Sequence, residues 1–144
     1  MTTRALPPLS PRHPTLVYES DPEFGDYVYS ETIESWSNRR VKANGQEFSL
    51  LGRGRRPSQA QRILWRSLEE AIEWLSAAAV EAVRAPPVSV EQTTVGELKM
   101  RQIRLELNGS VNVIVGSEAI DQSTGLALMV TFVNEKVSES RWII

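Results

Sequence analysis

Cysteine is missing from this chain of 144 residues, and histidine occurs once, as His13. Without cysteine there is no thiol nucleophile, no disulfide and no Cys/His zinc site. A Ser-His-Asp triad would need His13 to fold back from a proline-rich leader onto the domain. Long apolar runs are absent too: the most apolar stretch, around Ala77 to Val83, is interrupted by Glu81 and falls short of the ~20 residues of a membrane span. The first residues hold no apolar run of signal-peptide kind. A formal charge of -2 and a pI of about 5.5 lack the basic excess of a nucleic-acid binder. These absences predict a cytoplasmic protein without cofactor or bound metal, for which neither membrane nor nucleic acid is the expected partner.

What the chain does contain suits one folded unit: at this length a domain buries roughly 70% of its unfolded surface. Residues 1–15 carry four of the eight prolines (Pro7, Pro8, Pro11, Pro14) and read as a flexible extended leader, leaving 16–144 as a single α+β domain. Three asparagine-led turns divide its strands. A two-residue turn at Asn44-Gly45 sets Val41 against Phe48 and Lys42 against Glu47, which satisfies both faces of a hairpin. At Asn108-Gly109 a two-residue turn would put Ile103, Leu105 and Leu107 on the opposite face from Val111, Val113 and Val115. A three-residue loop, Leu107-Asn108-Gly109 with Gly109 left-handed, places both rows together. The third turn, Asn134-Glu135, separates Leu126 to Val133 from Val137 to Ile144. Apolar residues on both faces of the first of these strands mark it as interior to the sheet.

Between the first and second hairpins, Pro57-Ser58 and Pro86-Pro87 bracket one long helix of about 26 residues with Ser58 as its N-cap. Leu64, Leu68, Ile72, Leu75, Ala79 and Ala82 fall in one stripe at about 100° per residue, with Trp65 and Val83 at its flanks. Arg62, Arg66, Glu69, Glu70 and Glu73 occupy the other side. A short helical turn is expected through Val95 to Met100. The resulting fold class is α+β: a mostly antiparallel sheet built from hairpins, with one long helix packed across one face.

Charge is segregated along the chain. Leu16 to Trp36 holds six carboxylates and no lysine or arginine, whereas Arg39 to Arg66 holds eight basic residues against Glu47 alone. One reading is mutual neutralisation between neighbouring segments. The other is an acidic, aromatic face for a basic protein partner, carried by Tyr18, Glu19, Asp21, Phe24, Asp26 and Tyr27. Gly52-Arg53-Gly54-Arg55-Arg56 suits phosphate through Arg53, Arg55 and Arg56, yet it lacks the GK[ST] ending of a P-loop. Glu19, Asp21 and Glu23 alternate like the start of a calcium loop, but Pro22 interrupts them and the glycine such a loop requires is absent. Glu97-Leu98-Lys99 carries the E-x-K pattern of some metal-dependent nucleases without a recognisable upstream aspartate. Trp74 stands about 120° from the centre of the apolar stripe. It either packs under residues 88 to 100 or, with Ile63, forms an exposed apolar patch for a protein partner or a second copy.

The order of Phe24-Gly25, the strand into Trp36, the Asn44-Gly45 hairpin, a helix opening Pro57-Ser58 with Gln59, Gln61 and Trp65, and a closing hairpin resembles a group of small bacterial single-domain proteins. Some relatives of that group stand beside polymorphic toxins and are taken to be immunity proteins. The resemblance spans about residues 18 to 144. It implies an intracellular role sequestering a toxin, and it supplies no catalytic residues. The expected function is therefore a non-enzymatic protein-binding domain that covers a partner's surface, such as that of a basic toxin domain. The alternatives are a carboxylate-dependent, metal-assisted hydrolase and a phosphate- or RNA-binding module built on Arg53 to Arg66.

Overall fold

A computed structural model describes residues 16–86, 88–89, 97–117 and 127–143, except the side chains of Arg39 and Arg40; the leader, Val95, Leu126 and Ile144 lie outside the described residues. Among the described residues, eight strands lie side by side in chain order: β1 Leu16–Asp21, β2 Gly25–Ser30, β3 Ser35–Ala43, β4 Gln46–Arg53, β5 Lys99–Leu105, β6 Val111–Gly116, β7 Ala127–Val133 and β8 Lys136–Ile143. All neighbours are antiparallel except β4 and β5. Those two run parallel because a helical crossover returns the chain from the end of β4 to the start of β5. The molecule is thus α+β, two four-stranded meanders joined at a central parallel pair.

The hairpin registers follow from side-chain parity. Val41 pairs with Phe48 and Lys42 with Glu47 across Asn44-Gly45, whose φ values of 49° and 81° suit a type I′ turn. At the second hairpin Leu105 pairs with Val111 and Glu106 N–H donates to Ser110 O, which leaves Leu107, Asn108 and Gly109 as the odd-length loop. Gly109 has φ 89°. Asn134-Glu135 joins β7 to β8 with Val133 paired to Lys136. β7 lies between β6 and β8, with Leu128, Val130 and Phe132 buried on one face and Met129 buried on the other.

Residues 99 and 100, assigned from sequence to a helical turn, instead begin β5. The register slips between Met100 and Gln102, so Met100 stays on the same face as Ile103 and Leu105. This bulge hides the period-two signal that would have marked a strand.

The expected single helix is two: α1 Gln59–Glu70 and α2 Ile72–Arg84, separated by Ala71 at φ -112°, ψ 25°. Neither glycine nor proline causes the break. Ala71 N–H bonds back three residues to Leu68 O, tightening the turn, and Leu75 N–H then resumes the helix on Ala71 O. Trp65 of α1 meets Phe48 of β4 edge-on at 6.0 Å, whereas α2 lies over β5 to β8. Because the sheet twists from strand to strand, a one-residue break lets each half follow a different part of it. Ser58 is the N-cap, and a capping box with Gln61 completes it.

The buried stripe is rotated from the expected one. Gln61, Trp65, Leu68, Ile72, Leu75, Ala79 and Val83 are its axis, and Leu64 and Ala82 are only partly buried. These side chains cover the row Leu50, Ile103, Val113 and Val130, paired across four strands. The other sheet face is polar at its centre. There Thr131 Oγ1 donates to Asn112 Oδ1 at 2.6 Å, Asn112 Nδ2 to Glu106 Oε2 at 2.7 Å, and Arg104 Nε to Gln102 Oε1 at 2.6 Å.

Candidate interaction surface

The acidic segment folds against the basic one. The Asp21 carboxylate accepts the N–H groups of Glu23 and Phe24 within the β1–β2 turn, at 2.9 and 3.0 Å, and also receives the Arg62 guanidinium in a bidentate pair. Arg66 grips Glu23 through two hydrogen bonds of 2.9 Å. Arg55 Nη1 bonds Glu19 at 2.6 Å with its guanidinium over the Tyr29 ring, and Arg56 approaches Glu19 at 3.5 Å. The carboxylates read from sequence as a partner face are therefore the clips that hold β1 and β2 on the helix and its preceding loop.

These arginines hold all three acids below the usual carboxylate range: Arg55 for Glu19, Arg62 for Asp21 and Arg66 for Glu23. Asp21 is shifted furthest. Acids depressed in the folded state contribute stability above their ordinary values of 3.8 and 4.5, and that stability is lost as pH falls. Urea unfolding followed from about pH 6 to about pH 3 is expected to show a falling midpoint. Asp21→Asn should flatten that slope, since one of the titrating clips is gone; an unchanged slope would mean that the clip does not hold in solution.

The aromatic members of the expected face are also structural. Phe24 and Tyr27 are buried against Trp36, with centroid separations of 4.9 and 5.9 Å, so they anchor the core rather than a partner. Tyr27 donates its hydroxyl to Glu19, and burial, followed by that carboxylate, raises its pKa. Tyr18 and Asp26 remain exposed, paired with Val28 and Ser20 on the sheet face away from α1 and α2. The phosphate candidates are likewise committed. Arg53 bonds Glu106 at 3.1 Å and Ser35 Oγ at 3.1 Å, while Arg55 and Arg56 share Glu19. Lys99 lies 3.8 Å from Glu97, both exposed. Among the described residues, no three Asp, Glu or His side chains gather as a metal site would require.

Trp74 is 46% exposed, unlike Trp36 and Trp65, which are buried. Its ring stands edge-on to Phe132 at 6.0 Å, so it packs on the β7 end of the sheet rather than under the described residues of the 88 to 100 segment. Ile63, on α1, is also exposed. Trp74 forms one wall of an apolar groove of about 450 Å³ that runs between Leu64 and Leu68 of the helix, Val111 and Phe132 of the sheet, and the Asn134-Glu135 turn. Three chain breaks build it: the interruption at Ala71, the left-handed Gly109 and the β7–β8 turn all fall at this end of the sheet.

Glu135 lines the groove, while Glu69, Glu70 and Glu73 are exposed elsewhere on the two helices; none of the four has an ion-pair partner among the described residues. Glu135 has φ 64°, a position that glycine occupies without strain in the Asn44-Gly45 turn. A left-handed glutamate costs on the order of 1 kcal/mol, and such strain concentrates where a side chain has a task. Sequence reasoning named Trp74 but missed Val111, Phe132 and Glu135, because topology alone brings them to it.

No protein-family model, curated protein or solved structure matches the chain.

Proposed function

We propose that this protein is a non-enzymatic binding domain and that the Trp74 groove is its contact surface. The carrying observation is the half-exposed Trp74 over an apolar floor, with Glu135 in the lining and no ion-pair partner for that carboxylate among the described residues. A partner suited to it presents an apolar side chain set among lysines or arginines. Tryptophan is a frequent binding hot spot, and the uncompensated carboxylate would speed encounter with a cationic surface. Covering a basic toxin domain, as the immunity-type resemblance implies, belongs to this same reading. The contact surface expected from sequence is thereby moved from β1–β2, where Glu19, Asp21 and Glu23 are paired with arginines, to the groove beside Trp74 and Glu135.

Co-purification from the native host followed by mass spectrometry would identify the partner. Trp74→Ala is expected to abolish its capture while changing unfolding free energy by only about 1 kcal/mol. Glu135→Lys should slow association most at low salt. A partner held equally well by both variants would overturn the assignment.

A further inference from the structure

We propose that β8 is a self-association edge, at which two copies pair antiparallel about a twofold axis through Ser140, so that Glu139 of each chain faces Arg141 of the partner subunit. β8 is the last of the described strands in the sheet order, and no described strand lies beyond it. Seven of its eight residues are exposed or partly exposed, including two large apolar side chains, Val137 at 47% and Trp142 at 43%. Such an edge presents unpaired backbone donors and acceptors to another strand.

The register follows from charge and parity. Glu139 and Arg141 pair with Thr131 and Met129 on the face away from α1 and α2, and neither has an ion-pair partner among the described residues. In a twofold antiparallel pair, facing residues must point to the same side, which permits only registers that shift by two. Centring on Glu139 opposes two glutamates, and centring on Arg141 opposes two arginines. Centring on Ser140 gives two opposite-charge pairs. It also sets Trp142 against Ser138 of the partner subunit, whose small side chain leaves room for the indole. Ser138 is the bulge in the β7–β8 pairing, and it confines the new ladder to the segment from Ser138 to Trp142. The Trp74 groove lies at the Asn134-Glu135 end and stays open, so this dimer and the proposed binding function are separable.

Sedimentation velocity on the full chain tests the register through charge exchange. The wild type is expected to pass from monomer to dimer with rising concentration. Glu139→Arg and Arg141→Glu should each raise the dissociation constant at least about tenfold, because each turns both facing pairs into like charges. Mixed in equal amounts, the two variants should recover a dimer of wild-type strength, since each arginine then faces a glutamate. Circular dichroism confirms the fold of each variant. Arg141→Gln, which removes attraction without adding repulsion, should weaken the dimer to an intermediate degree. A wild type monomeric at every concentration, a dimer indifferent to these substitutions, or a mixture that stays monomeric would overturn the proposal.

Discussion

Gln61→Leu is expected to lower unfolding free energy by about 3 to 5 kcal/mol, far more than loss of a polar side chain from a helix surface would. Gln61 is fully buried and every polar atom of its amide is used. Its Oε1 accepts from Trp36 Nε1 at 3.1 Å and from Ser58 N–H at 2.9 Å; its Nε2 donates to Arg53 O at 2.8 Å and Leu105 O at 3.1 Å. Gly52 and Leu105 are the last paired residues of β4 and β5, so the amide fills the fork where the parallel strands part. Leucine would leave the indole N–H and two strand carbonyls without partners. Each buried orphan costs about 1 to 3 kcal/mol. Urea denaturation monitored by tryptophan fluorescence measures the loss. Gln61→Glu should also be destabilised at neutral pH, because a carboxylate keeps both accepted bonds but turns negative oxygen toward two carbonyls. A near-neutral result for both variants would mean that the fork is solvated.

How readily each feature could be read from sequence depended on whether its cause was local. The Asn44-Gly45 register needed only turn chemistry and the pairing of Lys42 with Glu47. The Leu107–Gly109 loop needed only the parity of Ile103, Leu105, Val111 and Val113. Ser58 was legible as a cap, and Gln61 three residues later is the other half of a capping box, a signal for its position though not for its burial. The helix break at Ala71 left no trace, since Ala71 is a good helix former and the interruption serves the twist of a sheet formed by distant segments. Met100 and Arg101 concealed the start of β5 because the register slips between Met100 and Gln102.

The surface was harder to read for the same reason. Glu19, Asp21 and Glu23 stand 36 or more residues from Arg55, Arg62 and Arg66, so mutual neutralisation was readable as a possibility from the segregated charge, but only the folded chain shows which acid meets which arginine. Phe24 and Tyr27 looked exposed because acids surround them in sequence, yet they flank Trp36 in space. Trp74 was recognisable from helical phase as a residue off the apolar stripe. The groove beside it was not, because its floor comes from β6 and β7.

Gly52→Ala is expected to cost about 3 kcal/mol or more, although the change adds one methyl group and glycine is usually costly within a strand. The reason is space rather than backbone freedom. Gly52 pairs with Trp36 across β3 and β4, and the indole lies flat over it: a Cβ at position 52 would stand 2.2 Å from Cε2, 2.3 Å from Cζ2 and 2.5 Å from Nε1. The ring cannot tilt away cheaply. It is fully buried, wedged between Phe24 and Tyr27, and held through Nε1 by Gln61. Nor can β4 move, because Gly52 is bound on its other side to Leu105 of β5. Chemical denaturation of Gly52→Ala, Trp36→Leu and the double variant separates crowding from simple loss of contacts. Trp36→Leu alone should cost about 3 kcal/mol, and the double variant should cost less than the sum by at least about 1 kcal/mol, because leucine leaves room for the methyl. Additive costs would place the indole away from Gly52 and would also remove the donor that orients Gln61 at the β4–β5 fork.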